Sequence, residues 1–394
     1  MNEKKKKLFL LSPLALENGR GGEISSIELA SGLNNIYDVS FMDTNIITDK
    51  ILLSDETINI KLKGLKKRGR LRFLTLRILN KCFDFPFPRD IFRLYKILKD
   101  HHIVYISYHN IKLSILIILY SLLLRRTKFI IGYRKPLYSE KIFSLYNIKY
   151  RCSILLFSLI KKRLYHHVLS YHAKKFLEKF YDSTKIYHIV HGIDLDNYYE
   201  KNNEKEKDLL KFCYIGYLDD VHKGVGVLLN GIKQFLKENE KSRTLFEFCG
   251  IGPLESEVRK IEKQFPDIIK YFGYIDNLSI PKYYRRNDIF LFSSRREPFP
   301  RTIIEALASR LIIISSKTIG SIELLKGKKF GFFIKKLDPE SIKEKINEVY
   351  NIWLNDPSKI EKLQEEAGSY VVKNYSISHE IRMFKNFINE IIKI

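Results

Sequence analysis

Little in this chain would staple it covalently. Its 394 residues include four cysteines, Cys82, Cys152, Cys213 and Cys249, and no pair stands at C-x-x-C spacing. That argues against a disulfide framework and a cysteine-based zinc site, and fits a reducing compartment. Long apolar runs are also missing. The most apolar stretch, Leu113 to Leu124, lies between Lys112 and Arg125-Arg126 and falls short of the ~20 residues a membrane-spanning helix needs. A buried helix is the expectation there. The start, Lys4 to Lys7 before Leu8-Phe9-Leu10-Leu11, has too short an apolar run and no small-residue cleavage site for a signal peptide. It reads as a first strand. Acidic residues are scarce: 45 against 69 basic, a net charge of +24.

The apolar fraction of 45% and charged fraction of 29% are those of a globular chain, and the length suggests more than one domain. The basic excess is uneven. Residues 1–200 carry 35 basic and 18 acidic side chains, and the remainder 34 and 27. The densest basic piece runs from Lys61 to Arg77, with leucines interleaved. That composition suits an anionic membrane surface, and a solvated loop and helix is the bland alternative. Nucleic acid is disfavoured, because no zinc-finger spacing or aromatic RNA-binding signature accompanies the charge. The adjacent pairs His101-His102 and His166-His167 read as structural, since neighbours on a strand face opposite ways. The 24 tyrosines and 26 phenylalanines are core-formers first.

Short β-branched runs alternate with longer helical patterns. Strands are expected at Leu8–Ser12, Val39–Met42, Ile103–Ser107, Lys128–Gly132 and His167–Ser170, with a helix over Glu23–Leu33. Polar residues from Asp196 to Asp208 read as a linker. The alternation then restarts with strands at Leu210–Ile215, Thr244–Cys249, Ile268–Phe272, Ile289–Ser293, Leu311–Ser315 and Gly331–Ile334. Helices fall between them, and three more follow to the end of the chain. Such βαβ alternation implies α/β folding with parallel sheets. The expected architecture is two doubly wound, Rossmann-like domains facing across a cleft: residues 1–195, a linker 196–208, residues 209–375, and a helix 376–394 packing back on the first domain. Ligands of such sheets sit outside the carboxyl ends of the strands.

Chemistry gathers in the second half. Glu297-Pro-Phe-Pro-Arg301-Thr-Ile-Ile-Glu305 follows a strand, so one carboxylate lies on a loop at the sheet's mouth and the other in the helix behind it. Free N–H groups at that helix start, with Arg301, would favour a diphosphate, and carboxylates there would accept sugar hydroxyls. A capping acid and a surface acid are the bland alternative. Lys223-Gly224 follows the strand that leads to Gly216 and opens a helix, a place where a lysine neutralises phosphate. Gly250-Ile-Gly252-Pro253 is a glycine turn after a strand, and Gly19-Arg-Gly21-Gly22 follows the first strand.

Together these residues resemble the family 4 retaining glycosyltransferases of the GT-B fold (glycosyl transferases group 1). The spaced pair Glu297 and Glu305 is the most specific mark. Lys223-Gly224, Gly250-x-Gly252-Pro253, Gly273, Gly320-Ser-Ile-Glu323, His191-Gly192-Ile193-Asp194 and the Gly21-Gly22 loop support it. The resemblance implies a cytoplasmic hexosyltransferase, peripheral on the inner face of the membrane, moving a sugar from a nucleotide donor to a lipid-linked or polysaccharide acceptor with retention. No cofactor or metal is expected. Glu297 would face the donor sugar as the catalytic residue and Glu305 would hold the ribose. Lys223 and Arg301 would contact the diphosphate beside Gly216, Gly250 and Gly252. Gly21, Gly22 and His109 would serve the acceptor side. Several positions depart from the pattern: Tyr217 stands where an arginine is usual, Pro298 and Pro300 where glycines are, Arg310 and Ile312 where a glycine and a proline are, and Ser107 near the place of an expected histidine, with His109 two residues on. A non-catalytic nucleotide-sugar-binding protein and a nucleotide-sugar epimerase of the same fold are the alternatives.

Overall fold

The computed structural model describes residues 5–12, 21–43, 72–73, 95–107, 111–134, 154, 157, 160, 163–198 and 208–393. The chain divides into two compact units, residues 1–192 with 377–394, and residues 193–376.

The first unit is a seven-stranded sheet: β1 (Lys7–Ser12), β2 (Asp38–Asp43), β3 (Arg72–Phe73), β4 (Ile103–Ile106), β5 (Lys128–Tyr133), β6 (Leu164–Val168) and β7 (Ile186–His188). Its spatial order is β3-β2-β1-β4-β5-β6-β7, with every pair parallel. Among the described residues its helices include α1 (Gly21–Leu33), α2 (Ile111–Leu123) and α3 (Tyr171–Leu177). β6 begins three residues before the expected strand: Leu-Tyr-His-His-Val is buried along its whole length, which the polar look of two histidines conceals. Those histidines do part to opposite faces. Tyr133 Oη lies 2.9 Å from His166 Nδ1, and Tyr105 Oη 2.8 Å from His167 Nδ1.

The second unit is a six-stranded parallel sheet: β8 (Leu210–Ile215), β9 (Thr244–Cys249), β10 (Ile269–Tyr271), β11 (Ile289–Phe292), β12 (Ile312–Ser315) and β13 (Gly331–Phe333). Its order β10-β9-β8-β11-β12-β13 is that of a doubly wound fold, reversing between β8 and β11. The helices are α4 (Leu195–Tyr198), α5 (Val225–Glu238), α6 (Glu255–Gln264), α7 (Ile280–Arg285), α8 (Arg301–Ala308), α9 (Ile319–Leu325), α10 (Pro339–Asn355) and α11 (Pro357–Asn374). Residues 196–198, expected as linker, are helical instead. Tyr198 packs 6.2 Å from the Tyr284 ring, and Ser309 Oγ donates to its carbonyl at 3.2 Å. An apolar anchor in an otherwise polar stretch starts the unit there.

The last helix, α12 (Ile377–Lys393), belongs to the first unit. Ile377, Phe384, Phe387, Ile388 and Ile391 recur at helical spacing and are buried. The last four share one core with Leu8, Leu10, Leu29, Val39 and Tyr105, each such burial stabilising by about 1.5–3 kcal/mol. Glu380, also buried, accepts the Gly192 N–H at 2.8 Å and lies 3.3 Å from His191 Nδ1. His191-Gly192 is thus fixed to the closing helix.

Candidate functional site

β8 and β11 are neighbours at the point where the strand order of the second unit reverses. Both loops leaving their carboxyl ends carry charge. After β8, Asp219 Oδ1 accepts the N–H groups of His222 at 2.9 Å and Lys223 at 2.8 Å, a turn closed by its own side chain. Ser293 Oγ, just past β11, donates to the Lys223 carbonyl at 2.7 Å. Gly224 then caps α5 with φ +64°, and a β-carbon there would stand 2.4 Å from the Ser293 carbonyl oxygen. Only glycine lets the two loops close this tightly. Lys223 is therefore held by its backbone while its ammonium reaches out.

That ammonium lies 3.0 Å from Glu297 Oε2, with both side chains partly exposed. Glu297 sits on the loop after β11, and its carbonyl accepts the Gly320 N–H at 3.0 Å. Arg295 ties the two loops a second time, its Nη2 2.9 Å from Asp220 Oδ2 and its Nε donating to the Asp220 carbonyl at 2.8 Å. Pro300 takes an extended conformation and precedes α8, and Phe299 is buried. The two prolines thus occupy the turn into the helix with no residue forced into a left-handed conformation.

Glu305 lies one turn into α8. Arg301 Nε donates to its Oε1 at 2.9 Å, and the Tyr284 hydroxyl approaches its Oε2 at 3.5 Å. Burial, and then the neighbouring Glu305, push that hydroxyl well above the ordinary tyrosine value. The Arg301 side chain is 9% exposed and that of Glu305 11%, so the two form a buried ion pair one helical turn long. Arg-to-Glu at i,i+4 is a pairing the helix itself brings together.

The glycines line the same edge. Gly216 N–H donates to the Cys249 carbonyl at 3.0 Å, and Gly250 N–H to the Gly273 carbonyl at 2.7 Å. Gly250 has φ +139°, and a β-carbon on it would stand 1.8 Å from the Gly216 carbonyl oxygen. Gly252 follows in the same turn, its carbonyl accepting the Glu255 N–H at 3.1 Å. Tyr217 is 52% exposed, and its carbonyl accepts the Tyr214 hydroxyl at 3.0 Å. Lys223, Glu297, Gly216, Gly250 and Gly252 thus share the carboxyl edge of one sheet, with Glu305 behind it.

Gly21 and Gly22 open α1 after β1 of the first unit. His109 and most of the basic Lys61–Arg77 stretch lie outside the described residues. Asp219, Asp220, Ser293 and Arg295 were not singled out from sequence. The Asp-Asp doublet before His222-Lys223 is the signal that could have found the turn. Among the described residues, no three or more His, Cys, Asp and Glu side chains gather as metal ligands would.

The chain is similar to known proteins. The family described as Glycosyl transferases group 1 matches residues 196–369. A capsular polysaccharide biosynthesis glycosyltransferase of Staphylococcus aureus, CapM, is 26% identical over 213 residues, 50% of this chain and 54% of that one. An uncharacterised 41.2 kDa protein in the cps region of Klebsiella pneumoniae is 24% identical over 185 residues, 47% of this chain and 49% of that one. The chain spans about half the length of the curated relatives it matches. Among solved structures, Anabaena HepE in complex with UDP superposes with a TM-score of 0.74 at 14% identity, covering 98% of this chain and 100% of that one. A glycosyltransferase of Rickettsia africae gives 0.74 at 18% identity, covering 99% and 100%. The chain thus has the GT-B fold, and its residues 196–369 are similar to the Glycosyl transferases group 1 family.

Proposed function

We propose that the chain transfers a hexose from a nucleotide-sugar donor to a lipid-linked or polysaccharide acceptor, with retention of anomeric configuration and no divalent metal. The observation that carries this is the meeting of Lys223 and Glu297 at 3.0 Å, from the two loops that flank the reversal of strand order. One ammonium and one carboxylate, both accessible, suit a diphosphate and a sugar hydroxyl side by side. Glu305, a turn behind, would accept the ribose hydroxyls once Arg301 shares it. A uridine nucleotide is favoured, because solved neighbours of the same fold carry UDP or UDP-glucose.

In the reaction the bond from the anomeric carbon to the diphosphate oxygen breaks as the acceptor hydroxyl attacks the same face. The acceptor's proton passes to the departing phosphate, and Lys223 neutralises the charge left there. Fixed positive groups at a developing charge are the largest lever available to such a site, and holding donor and acceptor together supplies much of the rest. Buried free thiols at Cys213 and Cys249 suit a cytoplasmic setting.

The test is donor turnover with and without Glu297→Ala, beside a thermal-shift series with UDP, ADP and GDP. A catalyst loses about 100-fold or more of its turnover and is stabilised by one base above the others. Intact turnover in the variant would sink the assignment. A nucleotide shift without any turnover in the wild type would favour the binding-protein reading.

A further inference from the structure

Beside the edge strand β13 the second unit holds a groove of about 840 Å³. Lys223, Glu297 and the glycines of the carboxyl edge are not among its walls. One wall is the turn into β13, where Lys328 and Lys329 are exposed. The other is one face of α11. Lys362, Glu366, Ser369 and Lys373 recur there at steps of four, three and four, with Glu365 beside them. Phe330 and Tyr370 make the floor, their rings 5.4 Å apart. The Tyr370 hydroxyl donates to the Leu324 carbonyl at 3.2 Å and lies 3.0 Å from the Tyr375 hydroxyl, so the floor is fixed. The Lys328 ammonium stands 4.4 Å from the centre of the Tyr370 ring.

The charges in this groove do not neutralise one another. Lys362 and Lys373 stand about 16 Å apart along the helix axis, with the two carboxylates between them. Among the described residues none of the four lysines forms an ion pair, and neither glutamate does, although Lys362 and Glu366 are one turn apart. Elsewhere in the unit a lysine so placed is paired: Lys343 meets Glu238 and Glu340, each at 2.7 Å. A small phosphate is a poor occupant, because Glu365 and Glu366 would repel it. An ionised carboxylate only accepts, so these two call for hydroxyl donors, while the lysines call for acid groups. One class of molecule carries both along its length. We infer that the groove binds an acidic oligosaccharide: its acid groups meet Lys362, Lys373 and the Lys328-Lys329 pair, and its hydroxyls donate to Glu365 and Glu366. The volume suits such a ligand, and its binding is read without turnover, independently of the sugar-transfer reading.

The test is calorimetric titration of the full chain with tetragalacturonate, neutral maltotetraose and tetrauridylate. The wild type should bind tetragalacturonate well above the other two. Lys362→Ala and Lys373→Ala should each weaken that binding about tenfold, with melting curves unchanged. The double variant Glu365→Ala, Glu366→Ala should weaken it too, whereas a merely basic surface would hold the acid more tightly once its carboxylates were gone. Equal binding of maltotetraose, tighter binding by the glutamate variant, or lysine variants that bind as the wild type does would overturn the inference. Tighter binding of tetrauridylate, lost in the lysine variants, would overturn it in favour of nucleic acid.

Discussion

Both units wind their first six strands in the same order, yet they fill the interior differently. The first buries polar rings within its strands: Tyr105, Tyr133, Tyr165, His166 and His167 are all nearly inaccessible. His167 Nε2 lies 2.8 Å from the Ile189 carbonyl and so carries the proton, leaving Nδ1 to accept from Tyr105. The second fills its strands with Phe212, Phe246, Phe248, Phe290 and Ile312 to Ile314. Apart from the pairing of Glu247 with Arg286 and Asn287, its charges gather at the ends of strands, among them Lys223 and Glu297 at the carboxyl edge. Topology fixes where a site can form. What lies within the sheet decides how each unit responds to mutation and acid.

The sharpest way to separate the units is to break one. Trp353, the single tryptophan, lies in the second unit, its ring stacked 5.9 Å from Tyr350 with Arg243 over it at 5.0 Å. Its emission therefore reads that unit alone. Gly250→Ala places a β-carbon 1.8 Å from the Gly216 carbonyl oxygen, an overlap with main chain that no rotamer relieves. A cost above about 4 kcal/mol is expected, seen as early loss of the Trp353 signal in urea while a later circular-dichroism phase from the first unit persists. A single unchanged transition would show that the turn gives way.

The converse is Phe384→Ala in the first unit. That ring lies 4.8 Å from His167 and 5.4 Å from Tyr105, where α12 covers the sheet. Removing it should cost about 3 kcal/mol through lost burial and a cavity. Circular dichroism should then fall before Trp353 responds. Coincident loss of both signals would mean the units unfold as one and would blur the contrast.

How far the sequence disclosed this depends on the element. Strands β8, β9, β11 and β12 are β-branched or aromatic runs between turn residues, and their expected ends fall within a residue or two of those found. β6 slipped because histidines do not advertise a buried strand. α9 went unseen because its seven residues show no apolar period; its Thr318–Ser321 capping box is its only mark. At the site, motif spacing placed Glu297, Lys223 and the glycines on one edge. It did not reveal that Lys223 and Glu297, 74 residues apart, touch. Nor did it reveal that Arg301 pairs with Glu305, although i,i+4 spacing on a helix brings such a pair together.

Acid should separate the units with the smallest perturbation. Burial lowers the His167 value well below 6.5, outweighing the hydrogen bond to Ile189, while Arg134, His191 and His188 push the same way. Glu380 faces the same cluster through His191, and Tyr105 and Phe384 close it. His101, in the same unit, is lowered too, chiefly by burial. A histidine lowered in the folded state stays neutral there but takes a proton once unfolded. Stability is therefore full above the unfolded value of 6.5 and falls as pH drops below it. In the second unit the lowered groups are instead Asp276, Asp338 and Asp356, each held by hydrogen bonds at a turn or helix start. Their stabilisation persists above the usual carboxylate value of 3.8 and fades only below it. Between pH 6.5 and 4, circular-dichroism melting should move down while Trp353 emission holds its midpoint. His167→Gln, which keeps a side-chain hydrogen bond to the Ile189 carbonyl within reach and cannot take up a proton, should flatten that descent. An equal slope in the variant, or a Trp353 midpoint that falls in step, would place the acid sensitivity elsewhere.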